Sequence, residues 1–120
     1  MNLPESSAND LTNFFNQKEF VASTIAQINK DLQGLYYEDY SIDLDLSVNL
    51  LQDSISALTP ILTSLSKRMP EQLSQFIYKV DLNEKKFFDS ISADSSLENL
   101  SYLILEREAQ KVYLRKRFSK

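Results

Sequence analysis

The sequence predicts an all-α fold: a compact bundle of four to five helices, the last one long and basic at its C-terminal end. Three observations predict it. Gly34 is the only glycine in 120 residues, and the tight turns of antiparallel sheets favour glycine. Apolar residues recur at helical spacing along most of the chain. Only one segment alternates like a strand, and a lone strand without a partner is not stable.

Residues 1–10 (MNLPESSAND) carry no periodic apolar face and read as a flexible polar N-terminal arm. Residues 11–120 read as a single helical bundle domain, as the length suggests. Val21, Ile25, Ile28, Leu32 and Leu35 form a narrow apolar stripe. This places the first helix at 11–33, broken near Asn16, with Gly34 where a left-handed C-terminal cap is wanted. A loop is expected over 35–43.

The stretch that follows admits two periods. Tyr40, Ile42, Leu44, Leu46 and Val48 alternate with polar residues, yet Leu44, Val48, Leu51, Ile55, Leu58, Leu62 and Leu65 fall at helical spacing over a longer run. The longer series favours a helix over 45–67, capped by Asp43 or Asp45 and kinked or split at Pro60. Pro70 suits the first position of the next helix, whose apolar face is Leu73, Phe76, Ile77 and Val80. Asp81 and Glu84 have capping-box spacing. They place a short helix from Leu82 to Ile91, with Phe87, Phe88 and Ile91 buried. Ser95 and Glu98 form a second capping box, which opens the final helix at 96–117.

Composition removes several function classes. The chain has no cysteine and no histidine. Disulfides, thiol catalysis, thiolate metal sites and imidazole-based triads are thereby excluded. No glycine-rich phosphate loop is present. Asp43, Asp45, Ser47 and Asn49 lie two apart, as in a calcium loop, but Val48 and Ser54 stand where such a loop needs glycine and glutamate. The expectation is a protein that is not an enzyme and takes no cofactor and no metal. It is expected to be cytoplasmic, because no apolar run of membrane-spanning length and no secretory signal pattern occurs.

Charge is the most informative feature. The net charge is −4, but residues 1–60 carry −7 and residues 61–120 carry +3. The last fifteen residues, EREAQKVYLRKRFSK, carry +4. Arg107, Lys111 and Arg115 are four residues apart and stack on one ridge. Such like-charge pairs weaken a helix by about 0.2–0.5 kcal/mol each. The helix dipole explains cations only within the last turn, which leaves Arg107 and Lys111 without a local reason. The expectation is a docking surface for an acidic partner, contacted by Arg107, Lys111, Arg115 and Arg117. The acidic loop around Asp39 and Asp43 is a second candidate surface.

The partner is expected to be another protein or a second copy of the chain, so that the protein acts as an adaptor, accessory subunit or regulator. The alternative is a nucleic-acid-associated regulator that uses the basic helix. A sequence pI near 4.8 and the absence of any helix-turn-helix or RNA-binding motif argue against it. The segments FIYKVD (76–81) and REAQKVYLR (107–115) resemble a pattern of small bacterial helical proteins, in which a short helix ends on an aspartate and the last helix is rich in Arg-Glu and Lys-Val pairs. The resemblance implies a helical fold and carries no activity.

Overall fold

The stripe Val21, Ile25, Ile28 and Leu32 needs an apolar partner surface, and all four side chains are buried. They belong to the first of five helices in the structure, a computed structural model that describes residues 18–33, 50–93 and 97–118. The helices are α1 (Lys18–Gln33), α2 (Leu50–Arg68), α3 (Pro70–Val80), α4 (Glu84–Ala93) and α5 (Glu98–Phe118). Among the described residues there is no strand. The N-terminal arm, the loop over 35–43 and the two-period stretch 40–48 lie outside the described residues.

Helix α2 buries Leu58, Leu62 and Leu65 and half-buries Leu51 and Ile55, the face the helical spacing predicts. It does not split at Pro60, contrary to one of the two expectations: the helix runs as one element through that residue. Pro60 is exposed, so its ring meets water rather than the core. The carbonyl of Ser56, which lacks the usual N–H donor from residue 60, belongs to an exposed residue that water can satisfy.

A single residue joins α2 to α3. The Met69 N–H donates to Leu65 O (2.9 Å), which closes α2, and Met69 O accepts from Gln72 N and Leu73 N, which opens α3. Pro70 sits at the start of α3, where its missing N–H leaves nothing unsatisfied.

The other boundaries differ from expectation for identifiable reasons. Asp81 does not open α4; it closes α3. It adopts the left-handed conformation (φ 66°), and its N–H donates to Tyr78 O and Ile77 O. Leu82 N–H then donates back to Ile77 O at 3.3 Å. This is the Schellman arrangement with aspartate in the position usually held by glycine. The cap of α4 falls to Asn83, whose Oδ1 accepts from Lys85 N (2.8 Å) and Lys86 N (3.2 Å). So α4 begins two residues later than the spacing of Asp81 and Glu84 suggests. Phe88, expected inside, is 57% exposed, while Phe87 and Ile91 are half-buried. Helix α5 opens at Glu98 after Leu97, which is left-handed at φ 66°. That conformation costs a leucine about 1 kcal/mol or more. Burying its side chain, worth roughly 1.5–3 kcal/mol, offsets the strain.

Helix α5 packs against all four other helices. It buries Leu100, Ile104, Leu105, Ala109 and Val112 and, unusually, also Ser101, Glu106 and Glu108. Ser101 explains one close approach: its hydroxyl lies 2.7 Å from Thr59 Oγ1 of α2. One continuous core draws on every helix, from Val21 in α1 to Ala109 in α5.

Two residues of α3 test this face assignment. Phe76 is fully buried and Tyr78 is 86% exposed. Phe76→Ala is expected to destabilise by about 3–5 kcal/mol, and Tyr78→Ala by less than about 0.5 kcal/mol. Urea unfolding followed by circular dichroism measures both; similar values would show that the face is misassigned.

Candidate functional site

The basic ridge of α5 does not simply face solvent. The Arg107 guanidinium reaches across to the cap of α3. Its Nε donates to Asp81 O (3.1 Å), its Nη2 to Asp81 Oδ2 (2.9 Å), and its Nη1 to Gln110 Oε1 (3.2 Å). One turn on, the Lys111 ammonium lies among four oxygens. It donates to Asp31 Oδ2 (3.2 Å), Lys79 O (3.1 Å) and Val80 O (3.4 Å), and it stands 2.7 Å from Glu108 Oε1. The last carbonyls of α3 are thus fully provided for. Ile77 and Tyr78 bond to the Schellman turn, and Lys79 and Val80 bond to Lys111.

Arg115 continues the series outward, with Nη1 donating to Gln27 Oε1 at 2.7 Å. Gln27 in turn donates through Nε2 to Asp31 Oδ1 (3.1 Å). Gln27 pairs with Arg115 and Asp31 with Lys111, so four residues up α1 match four residues down α5. The two helices therefore run antiparallel along a polar seam, Arg115–Gln27–Asp31–Lys111–Glu108, that grades from exposed to fully buried.

Glu108 is the inner end of that seam and has no accessible surface. Burial pushes its carboxyl up from the ordinary 4.5 to about 8; the neighbouring Asp31 pushes the same way, and Lys111 opposes. At neutral pH the group is therefore mostly a neutral acid. Neither oxygen accepts a directed hydrogen bond, which suits a protonated carboxyl whose O–H can donate to Asp31. Lys111 and Asp31 then form one balanced ion pair, in place of two carboxylates competing for one ammonium.

Four of the expected contact residues lie on α5, and the structure separates them. Arg107 and Lys111, with side chains 29% and 22% exposed, bond to groups of the same chain, Arg107 to the exposed Asp81 and Lys111 to the buried Asp31. Arg115 is exposed. Arg117 lies in the last turn of α5, with its side chain outside the described set, and Asp39 and Asp43 are also outside it. Arg107 and Lys111 read as partner contacts in sequence because no local reason for them is visible there. The structure gives both residues intramolecular partners, at the end of α3 and in α1.

Three members of the seam, Asp31, Gln27 and Glu108, escaped the sequence reading. A signal for each exists in retrospect. Gln27 and Asp31 are four apart, Glu108 and Lys111 three apart, and Asp31 falls beside Ile28 and Leu32 on the buried face of α1.

Two concave regions adjoin these elements. A cleft of about 370 Å3 between α1 and α5 is lined by Ser23, Ala26, Gln27, Lys30 and Arg115. A groove of about 410 Å3 between α3 and α4 is lined largely by apolar side chains, Tyr78 and Phe88 among them. Among the described residues no group of three or more acidic side chains is placed to hold a metal ion. None of the described helices is long and apolar enough to cross a membrane. No family model, curated protein or solved structure matches the chain.

Two predictions follow the seam. Lys111→Ala should destabilise by about 3 kcal/mol or more, because it strands a buried Asp31 and two carbonyls. Arg107→Ala should cost only about 1 kcal/mol, since its partner Asp81 is 78% exposed. Urea midpoints at pH 7 rank the two, and a larger loss for Arg107 would contradict the assignment of Lys111 as the hub.

The second concerns pH. The folded carboxyl of Glu108 holds its proton more tightly than the unfolded one, so folding takes up a proton between about 4.5 and 8. Its contribution to stability is full below that window, falls as pH rises through it, and is flat above it. Glu108→Gln mimics the protonated form. Relative to wild type it should gain on the order of 3 kcal/mol between pH 5 and pH 9. With no histidine in the chain, few other groups titrate across most of this range. A constant difference between the two proteins would show that Glu108 is ionised throughout.

Proposed function

We propose that this protein is a small non-enzymatic interaction module, a cytoplasmic adaptor, accessory subunit or regulator, that binds an acidic protein surface through the free end of α5. The observation that carries the reading is the division of labour along the basic ridge. Arg107 and Lys111 are half-buried and paired with acids of other helices or caps, whereas Arg115 is exposed next to Leu114, a leucine that is 43% exposed. Arg117 follows half a turn later in the same helix. An apolar side chain beside cations suits a protein surface, where packing and charge act together. A phosphate backbone would reward charge alone, and the net charge of −4 works against nucleic acid.

The contact is accordingly centred on Arg115 and Arg117 rather than on all four cations of the ridge. The acidic loop of Asp39 and Asp43 remains the second surface, and it is the one through which two copies of the chain would associate.

Reversal of the two cations near the end of α5 tests this. Arg115→Glu with Arg117→Glu should leave the thermal midpoint within about two degrees, because Arg115 is exposed and changes away from the core are usually small. The wild-type protein, purified from its native cell, should carry one stoichiometric protein partner. The reversed variant should bind that partner about tenfold more weakly, about 1.4 kcal/mol, and the wild-type interaction should weaken with added salt. Undiminished binding by the variant would sink the reading. Retention on heparin at physiological salt, lost in the variant, would favour the nucleic-acid alternative.

A further inference from the structure

Resting on the reading of the basic end as the contact surface, we propose that the cleft between α1 and α5 is a carboxylate-binding subsite that takes one acidic side chain of the protein partner. Among the described residues its lining holds two cations, Lys30 and Arg115, one hydroxyl, Ser23, one amide, Gln27, and no acid. In a chain of net charge −4, a concave surface with that lining is not a sample of the average surface. Its volume of about 370 Å3 gives room for an acidic side chain together with the chain segment that carries it.

The donors are placed rather than loose. Gln27 Oε1 takes one Arg115 N–H at 2.7 Å. Gln27 is itself held by Asp31 at 3.1 Å, and Asp31 by Lys111 at 3.2 Å. The polar seam therefore fixes the Arg115 guanidinium from behind. Among the described residues four of its five N–H donors have no partner, enough for the two parallel bonds a carboxylate accepts from arginine. Lys30, in the last turn of α1, is exposed and makes no ion pair among the described residues. It supplies a second positive charge from α1. Orientation of the binding group by a hydrogen-bond chain that runs back to the buried Asp31 is what separates such a site from a pair of surface cations.

The experiment uses the full chain, isotopically labelled, and a capped peptide of alternating Glu and Ala, with inorganic phosphate as a second probe. The side-chain amide of Gln27 is the local reporter. Its resonances should shift saturably with peptide. Arg115→Gln with Lys30→Gln should weaken peptide binding about tenfold. Lys85→Gln with Lys86→Gln makes the same charge change on exposed residues of α4 and should weaken it less than twofold. Equal weakening by both double variants would reduce the effect to net charge and overturn the subsite. Tighter binding of phosphate than of peptide would reassign the cleft to phosphate and overturn the carboxylate. Should the native partner be lost on reversing Arg115 and Arg117 while peptide leaves Gln27 unmoved, the subsite falls and the docking reading stands.

Discussion

One ammonium group ties the molecule together. Lys111 Nζ meets an acid from α1, an acid from its own helix and the last two carbonyls of α3. Three helices are thereby pinned at one point. A buried ion pair of this kind adds little net stability over a well-packed apolar alternative, because desolvating the charges offsets their attraction. Its larger effect is on register. The apolar faces of α1 and α5 could slide by a turn and still bury leucine against isoleucine. The pairing of Asp31 with Lys111 and Gln27 with Arg115 fits one alignment only. A slipped alignment would leave a charge buried without its partner, which is far more costly than any loss of van der Waals contact.

The same ammonium resolves the end of α3. The final carbonyls of a helix have no partners within the helix and must find them elsewhere. Here the chain uses an aspartate in the left-handed conformation where glycine would be easiest, and it reinforces that residue with Arg107. Asp81 gives up backbone comfort and gains a carboxylate that the guanidinium can hold. This is consistent with a sequence that contains a single glycine, at position 34: the left-handed positions at Asp81 and Leu97 are each stabilised by a tertiary contact instead.

The seam also divides the positive charge into two populations. Lys111 lies near the core beside two acids, and Arg115, one turn further along α5, is exposed. The buried end carries a carboxyl whose pKa burial pushes up to about 8, in a chain without histidine. The exposed end carries a guanidinium held in place by that seam. Buried and exposed groups thus share one row of side chains, and what differs along the row is access to water.

By itself the sequence determined the helical class, the buried stripes of α1 and α2 and the face of α3. These follow from spacing alone, since residues three and four apart share a helix face whatever packs on it. It also located the basic end of α5 and the proline start of α3. The tertiary structure alone decided the role of each charge. Arg107 and Lys111 look like a solvent ridge in sequence because the groups that need them, Asp81 and the carbonyls of Lys79 and Val80, are some thirty residues away along the chain. Asp81 reads as a helix start because three-residue spacing to Glu84 cannot distinguish an N-cap from a C-cap. Phe88 reads as core because α4 has aromatic residues on two faces, and only the packing on α5 selects Phe87 over Phe88. Helix α5 hides its own burial, since a helix covered by all four others has no single apolar face for periodicity to reveal. Local spacing fixes which residues are neighbours on one helix, and only the meeting of helices fixes which charges lose their water.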